Sequence, residues 1–260
     1  MRPQARKVSL SSGELSYFAA GEGRPVVYLH PAGGVRWTRV LDELAKSFRL
    51  HVPIMPGFDG TPAHSSVKSM KALAALAGEF MDKVIGGPSD VVGCSFGGCV
   101  ALWLAAERPD RVDHLVLECP AVFRPEGPRP GDGEAFRKLL FLHPEKLPPE
   151  SKPAEQEVAN RKMLPHYRAP DDPDTDLLAK MGSIDKLTLI LHGTADRLIS
   201  KESMQLLKSR LQRSYLVYVW DAAHAIEVDQ PERMLAVLKS FLERSECFMV
   251  NWGTLAVNPG

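Results

Sequence analysis

Short apolar runs with strand character alternate with helical patterns along most of the chain, and few folds accept that alternation. Residues 8–10 and 15–19 read as a leading hairpin around Ser11-Ser12-Gly13, and residues 26–29 as a buried strand ending at His30-Pro31. Further strand-like runs follow at 50–53, 90–93, 112–117, 187–192 and 215–220. Between them, apolar residues recur at helical steps over 37–48, 67–84, 96–106, 202–211 and 234–242. Strands separated by helices imply parallel βαβ units, hence an α/β chain with a doubly wound, mostly parallel sheet.

Residues 123–182 break this rhythm. They are rich in proline and charge, with only two short helical patterns, at 134–142 and 155–164. The expected division is a core of 1–122 and 183–260, with 123–182 as a small helical insertion after the sixth strand. An insertion there would sit over the carboxyl edge of the sheet, where α/β proteins bind ligands. The stretch 246–260 carries no clear periodicity.

Composition excludes several function classes. Lys+Arg and Asp+Glu both number 32, so no field of one sign favours nucleic acid or an acidic membrane. No apolar run approaches the roughly 18 residues of a membrane span, and no apolar stretch follows the basic N-terminus as a secretory signal requires. Cys94, Cys99, Cys119 and Cys247 match neither a metal-ligand spacing nor a disulfide framework. Cys94, Cys99 and Cys119 lie in apolar surroundings and read as small buried hydrophobes. A cytoplasmic protein, monomer or homodimer, acting on a small molecule without metal or organic cofactor is the expectation.

The chemistry-bearing motif is Gly93-Cys94-Ser95-Phe96-Gly97, with a strand before it and a helix after it. That context forces a tight turn with the serine hydroxyl exposed above the sheet. A hydroxyl is a weak nucleophile and needs an adjacent base. Of eight histidines, His224 alone lies late in the chain between the last strand and the last helix. Asp196, just past the penultimate strand, is the candidate to orient it, with Glu118 as the alternative acid. Two backbone N–H groups must hold an oxyanion. Phe96 supplies one, and the loop His30-Pro31-Ala32-Gly33-Gly34 the other. Pro31 has no N–H, so Ala32 or Gly33 donates, with Ala32 preferred. Gly33, Trp37, Phe58 and Phe123 are candidate substrate contacts; Phe141, His143, His166 and Tyr167 could also line a pocket.

Over residues 8–245 these motifs, in the order Ser95, Asp196, His224, resemble the α/β-hydrolase family. Pro56-Gly57-Phe58-Asp59-Gly60 resembles the family's loop after its fourth strand, and 123–182 its cap. His30-Pro31 stands where His-Gly is usual. The resemblance implies a serine hydrolase that forms an acyl-enzyme on Ser95 with a small or medium soluble ester. Serine at position 95 argues against the dehalogenases and epoxide hydrolases, which use aspartate. C–C bond hydrolases of the meta-cleavage type and haloperoxidase-like perhydrolases also look similar, although the former commonly carry Trp where Ala225 stands. Ligand-sensing receptors that retain the triad are a further alternative. A short, proline-rich insertion argues against a lipase.

Overall fold

The computed structural model describes residues 3–123, 133–148, 152–168, 173–245, 250–251 and 256–257. Strands β1 (Gln4–Leu10) and β2 (Gly13–Ala20) form the leading hairpin, and β2 runs antiparallel to β4 (Arg49–Pro53). Every later pairing in this sheet is parallel, through β3 (Pro25–Leu29), β5 (Ser89–Cys94), β6 (Val112–Glu118), β7 (Leu187–Gly193) and β8 (Ser214–Val219). The eight strands join one sheet in the order β1-β2-β4-β3-β5-β6-β7-β8. The chain steps outward from β3 to β4 and then returns to β5 on the other side of β3. The carboxyl ends of β3 and β5 therefore flank a topological switch point, where open α/β sheets hold their ligands.

All residues of β5 and β7 are buried, as continuous apolar strands covered on both faces must be. Helix α1 (Arg39–Leu44) packs on α10 (Pro231–Arg244), and α2 (Met70–Val84) on α3 (Phe96–Glu107), which also lies on β5. Ten of the twelve α3 residues are buried; a helix apolar all round belongs inside a core. Helix α2 begins later than its apolar pattern because Ser69 caps it, its hydroxyl accepting from Ala72 N–H at 3.0 Å. Helix α1 is shorter than the pattern over 37–48. Trp37 precedes it, and Lys46 and Ser47 leave it through tighter bonds to Glu43 and Leu44 carbonyls before β4 begins.

Between β6 and β7 the described residues form four α-helices rather than the two expected: α4 (Glu134–Leu140), α5 (Ala154–Arg161), α6 (Leu164–Tyr167) and α7 (Thr175–Lys180). The pattern at 155–164 splits because Lys162 and Met163 turn before α6 restarts with Pro165 in its first turn. Helix α7 is only six residues long and is capped by Asp174, which accepts from Leu177 N–H at 3.1 Å. Six residues are too few to show a period. Helix α8 (Lys201–Arg210) lies between β7 and β8, and the one-turn α9 (Ile226–Asp229) between β8 and α10. In the stretch read as aperiodic, Val250–Asn251 pairs antiparallel with Ala256–Val257. Among the described residues no helix is long and apolar enough to cross a membrane.

Candidate active site

Ser95 joins β5 to α3 with φ 51° and ψ −106°, a conformation an L-residue holds only when its surroundings over-determine it. Glycine provides the space. A Cβ on Gly97 would lie 2.1 Å from the Leu29 carbonyl oxygen, and one on Gly93 2.6 Å from that of Gly97. The turn is pinned from the neighbouring strand: Ser95 N–H donates to Glu118 O at 2.8 Å, and Ala121 N–H to Ser95 O at 3.2 Å.

Three strand ends bring the polar residues together. Ser95 follows β5, Asp196 follows β7, and His224 lies between β8 and α9. His224 Nε2 is 2.9 Å from Ser95 Oγ, and Nδ1 is 2.9 Å from Asp196 Oδ2. An ionised carboxylate only accepts, so Nδ1 carries the proton and Nε2 is left to accept from the serine hydroxyl. Asp196 Oδ1 accepts from Leu198 N–H at 2.7 Å and Ile199 N–H at 3.0 Å. Burial alone would raise the Asp196 carboxyl. The facing His224 and these two N–H donors outweigh it and hold the group below its usual value.

The loop after β3 faces the serine. Gly34 N–H donates to Pro31 O at 2.9 Å, which closes a turn with Ala32 and Gly33 at its centre. Both line one cavity with Ser95, Phe96 and His224. Its volume is about 120 Å³. Phe136, Leu140, Phe141, Leu164 and Leu177 form its insertion wall, and Leu198 and Ile199 extend the core side. Of the expected substrate contacts, Gly33 lines it and the other three do not. Phe58 is fully buried among His30, Phe96 and Tyr167. Trp37 turns its indole N–H to Asp42 at 3.1 Å, and Phe123 rests on the core. Phe141 lines the cavity as read, whereas the Tyr167 hydroxyl donates to Pro56 O at 2.6 Å.

Glu118, the alternative acid, bonds elsewhere. Its Oε1 accepts from Glu227 N–H at 3.1 Å, and the described hydrogen bonds of His224 go to Asp196 and Ser95. Burial, and next the charge of Glu227, push the Glu118 carboxyl well above its usual value. Sequence reasoning missed the polar wall of the cavity. Arg36 is 8% exposed and lies 2.6 Å from Glu157 and 3.8 Å from Glu227. These residues are widely separated in the chain, and no local motif marks them. Cys119, Asp196 and His224 place potential metal-ligand atoms within 4.8 Å of one another. Burial pushes the Cys119 thiol well up, so it is not a thiolate, and the other two groups already bond each other.

A family model described as alpha/beta hydrolase fold matches residues 24–144. The chain is 30% identical to the 2-hydroxy-6-oxo-2,4-heptadienoate hydrolase of Pseudomonas putida, over 91% of this chain and 95% of that one. It is 27% identical to a pimeloyl-[acyl-carrier protein] methyl ester esterase of Aeromonas hydrophila, over 85% and 96%. Among solved structures, a thermophilic esterase from Thermogutta terrifontis superposes with a TM-score of 0.71 at 26% identity, over 93% of this chain and 98% of that one. The chain belongs to the α/β hydrolase family.

Proposed function

We propose that the protein is a serine hydrolase that cleaves small or medium soluble esters through an acyl-enzyme on Ser95, with 123–182 acting as a cap over the site. The observation that carries this reading is the unbroken relay at 2.9 Å and 2.9 Å from Ser95 Oγ through His224 to Asp196, opening into the cavity. In the first step Ser95 Oγ attacks the substrate carbonyl carbon while His224 Nε2 takes the hydroxyl proton. Asp196 stabilises the imidazolium that forms. The N–H groups of Phe96 and Ala32 hold the tetrahedral oxyanion. His224 then protonates the leaving alcohol, and in the second step removes a proton from water, which attacks the acyl carbon; His224 returns that proton to Ser95 Oγ as the acid is released.

Size supports a modest substrate. An apolar cavity of roughly 150 Å³ holds a benzene ring, and this one, at about 120 Å³, suits a short acyl or small aryl group. The similarity to an esterase supports ester chemistry. The second reading, C–C bond cleavage, is favoured by the 30% identity to the heptadienoate hydrolase. Rates on p-nitrophenyl esters from acetate to palmitate, set beside a vinylogous diketone, test the proposal. Multiple turnover with a maximum at short chains is expected. A steady rise in kcat/KM beyond about ten carbons with interfacial activation would refute it, given the ~0.8 kcal/mol that each buried CH₂ contributes where walls exist to bury it.

A further inference from the structure

The loop that carries His224 is gripped on both sides of the imidazole. On one side, Ala223 N–H donates to Asp229 Oδ2 at 2.8 Å. On the other, Ala225 N–H donates at 2.9 Å to Leu140 O, the last residue of α4. Asp229 is fully buried at the end of α9, and its carboxylate does more than hold the loop. It also accepts Leu142 N–H at 3.1 and 3.0 Å and His143 N–H at 2.8 Å. A carboxylate offers about four lone-pair sites, and here they are shared by three backbone donors from two distant segments. The seam is reinforced. Lys146 Nζ donates to Asp229 O at 2.6 Å, His143 Nε2 lies 2.9 Å from Asp221 Oδ2, and Phe141 packs on Ala225 and Val228. The same Leu140 and Phe141 line the cavity.

We infer that Asp229 is a positioning residue for His224, and that it ties the imidazole's position to the seating of residues 140–146 over the cavity. The inference rests on the proposed reading of Ser95 and His224. Asp229 touches neither substrate nor Ser95; it acts through the Ala222–Ala223 peptide, whose N–H it accepts one residue before His224. Substrates that press against Leu140 and Phe141 hold the segment down, and the shared carboxylate transmits this to the base. Polar ties of this kind matter because displacing a catalytic group by about 1 Å costs on the order of 100-fold in rate.

Asp229→Asn tests it with little change of volume. An amide keeps one acceptor oxygen and turns an N–H toward a backbone donor, so at least one of the three bonds is lost. The expected result is a kcat lower by about 100-fold with KM little changed. The downfield proton resonance of the His224 Nδ1–Asp196 bond, assigned by its loss in His224→Ala, should broaden or vanish while the protein stays folded. Leu142→Pro is the second variant. It deletes one N–H donor to Asp229 from an exposed residue, and Phe141 before it is already extended at φ −126° and ψ 129°, as a residue before proline must be. It should lower kcat in the same direction even if Asp229→Asn does not fold. Wild-type kcat and an intact resonance in whichever variants fold overturn the inference. Full activity in Ser95→Ala would instead overturn the reading beneath it, and the resonance would still report whether Asp229 holds the imidazole.

Discussion

Ser95 accepts a strained backbone at φ 51° so that its hydroxyl meets His224 Nε2 at 2.9 Å. Removing that hydroxyl should lower kcat by roughly 10⁶-fold, and combining it with His224→Ala should cost little more, because the two groups act as one unit. Steady-state kinetics on a short nitrophenyl ester read both; a Ser95→Ala variant that kept a tenth of the activity would remove the nucleophile from position 95. Asp196→Asn should keep the fold and lose on the order of 10⁴ in kcat by favouring the wrong imidazole tautomer. Glu118→Gln is the contrasting change. Burial pushes the Glu118 carboxyl up, toward its neutral form, and a neutral amide preserves its acceptor toward Glu227 N–H, so this change should spare kcat. Reversal of the two effects would return the acid to β6. That Ser95, Asp196 and His224 meet in space was legible in the sequence because each follows a strand, and all strand ends of a parallel sheet open on one edge. Asp229 and Arg36 were not legible, since their partners lie 86 and 121 residues away in the chain.

Elements were readable where the sequence keeps a period over enough residues. All eight strands of the sheet were anticipated, because continuous or alternating apolar runs bounded by turns have few other uses. The stretch between β6 and β7 was readable as an interruption of the rhythm but not in its parts, since α6 and α7 span four and six residues. What docks it is tertiary. Asn160 on α5 is 1% exposed and donates to Gly33 O and Asp59 Oδ1 at 2.7 Å each, while its own oxygen accepts Asp59 N–H at 2.8 Å. Asp59 in turn accepts Val35 N–H at 2.8 Å and an ion pair from Lys152. Helix α5 is thus fastened to the turn that bears Ala32 and Gly33. Asn160→Ala removes this partner from Asp59 N–H and Gly33 O, both part-buried, at a cost of up to about 1–3 kcal/mol. Urea unfolding should show that loss, and a midpoint equal to wild type would mean that α5 is held by its apolar contacts alone.

At the scale of the molecule, the fold buries more ionisable groups than its proposed chemistry uses, and this shapes its stability against pH. His30 closes β3 with Nε2 accepting from Met55 N–H at 3.0 Å and Nδ1 donating to Pro31 O at 2.8 Å. Burial pushes its pKa down from 6.5 to about 4, and burial likewise takes His51 to about 4. The sign follows from proton counting. Below pH 6.5 the unfolded chain binds protons that the folded chain refuses until about pH 4. The His30 contribution is therefore fully present above its unfolded value and is lost as pH falls, up to about 3 kcal/mol. The buried Glu118 and Glu227 are pushed up instead, so they lower stability as pH rises past the unfolded carboxylate value and partly mask the histidine effect. Single variants separate the two. His30→Gln, whose side-chain oxygen can still accept from Met55 N–H, should show a flatter rise of unfolding free energy between pH 4 and 6.5 than wild type. Glu118→Gln should gain on wild type steadily as pH increases. Denaturant titrations across that range give both slopes, and parallel curves for wild type and His30→Gln would mean that His30 titrates in the folded protein as it does in water.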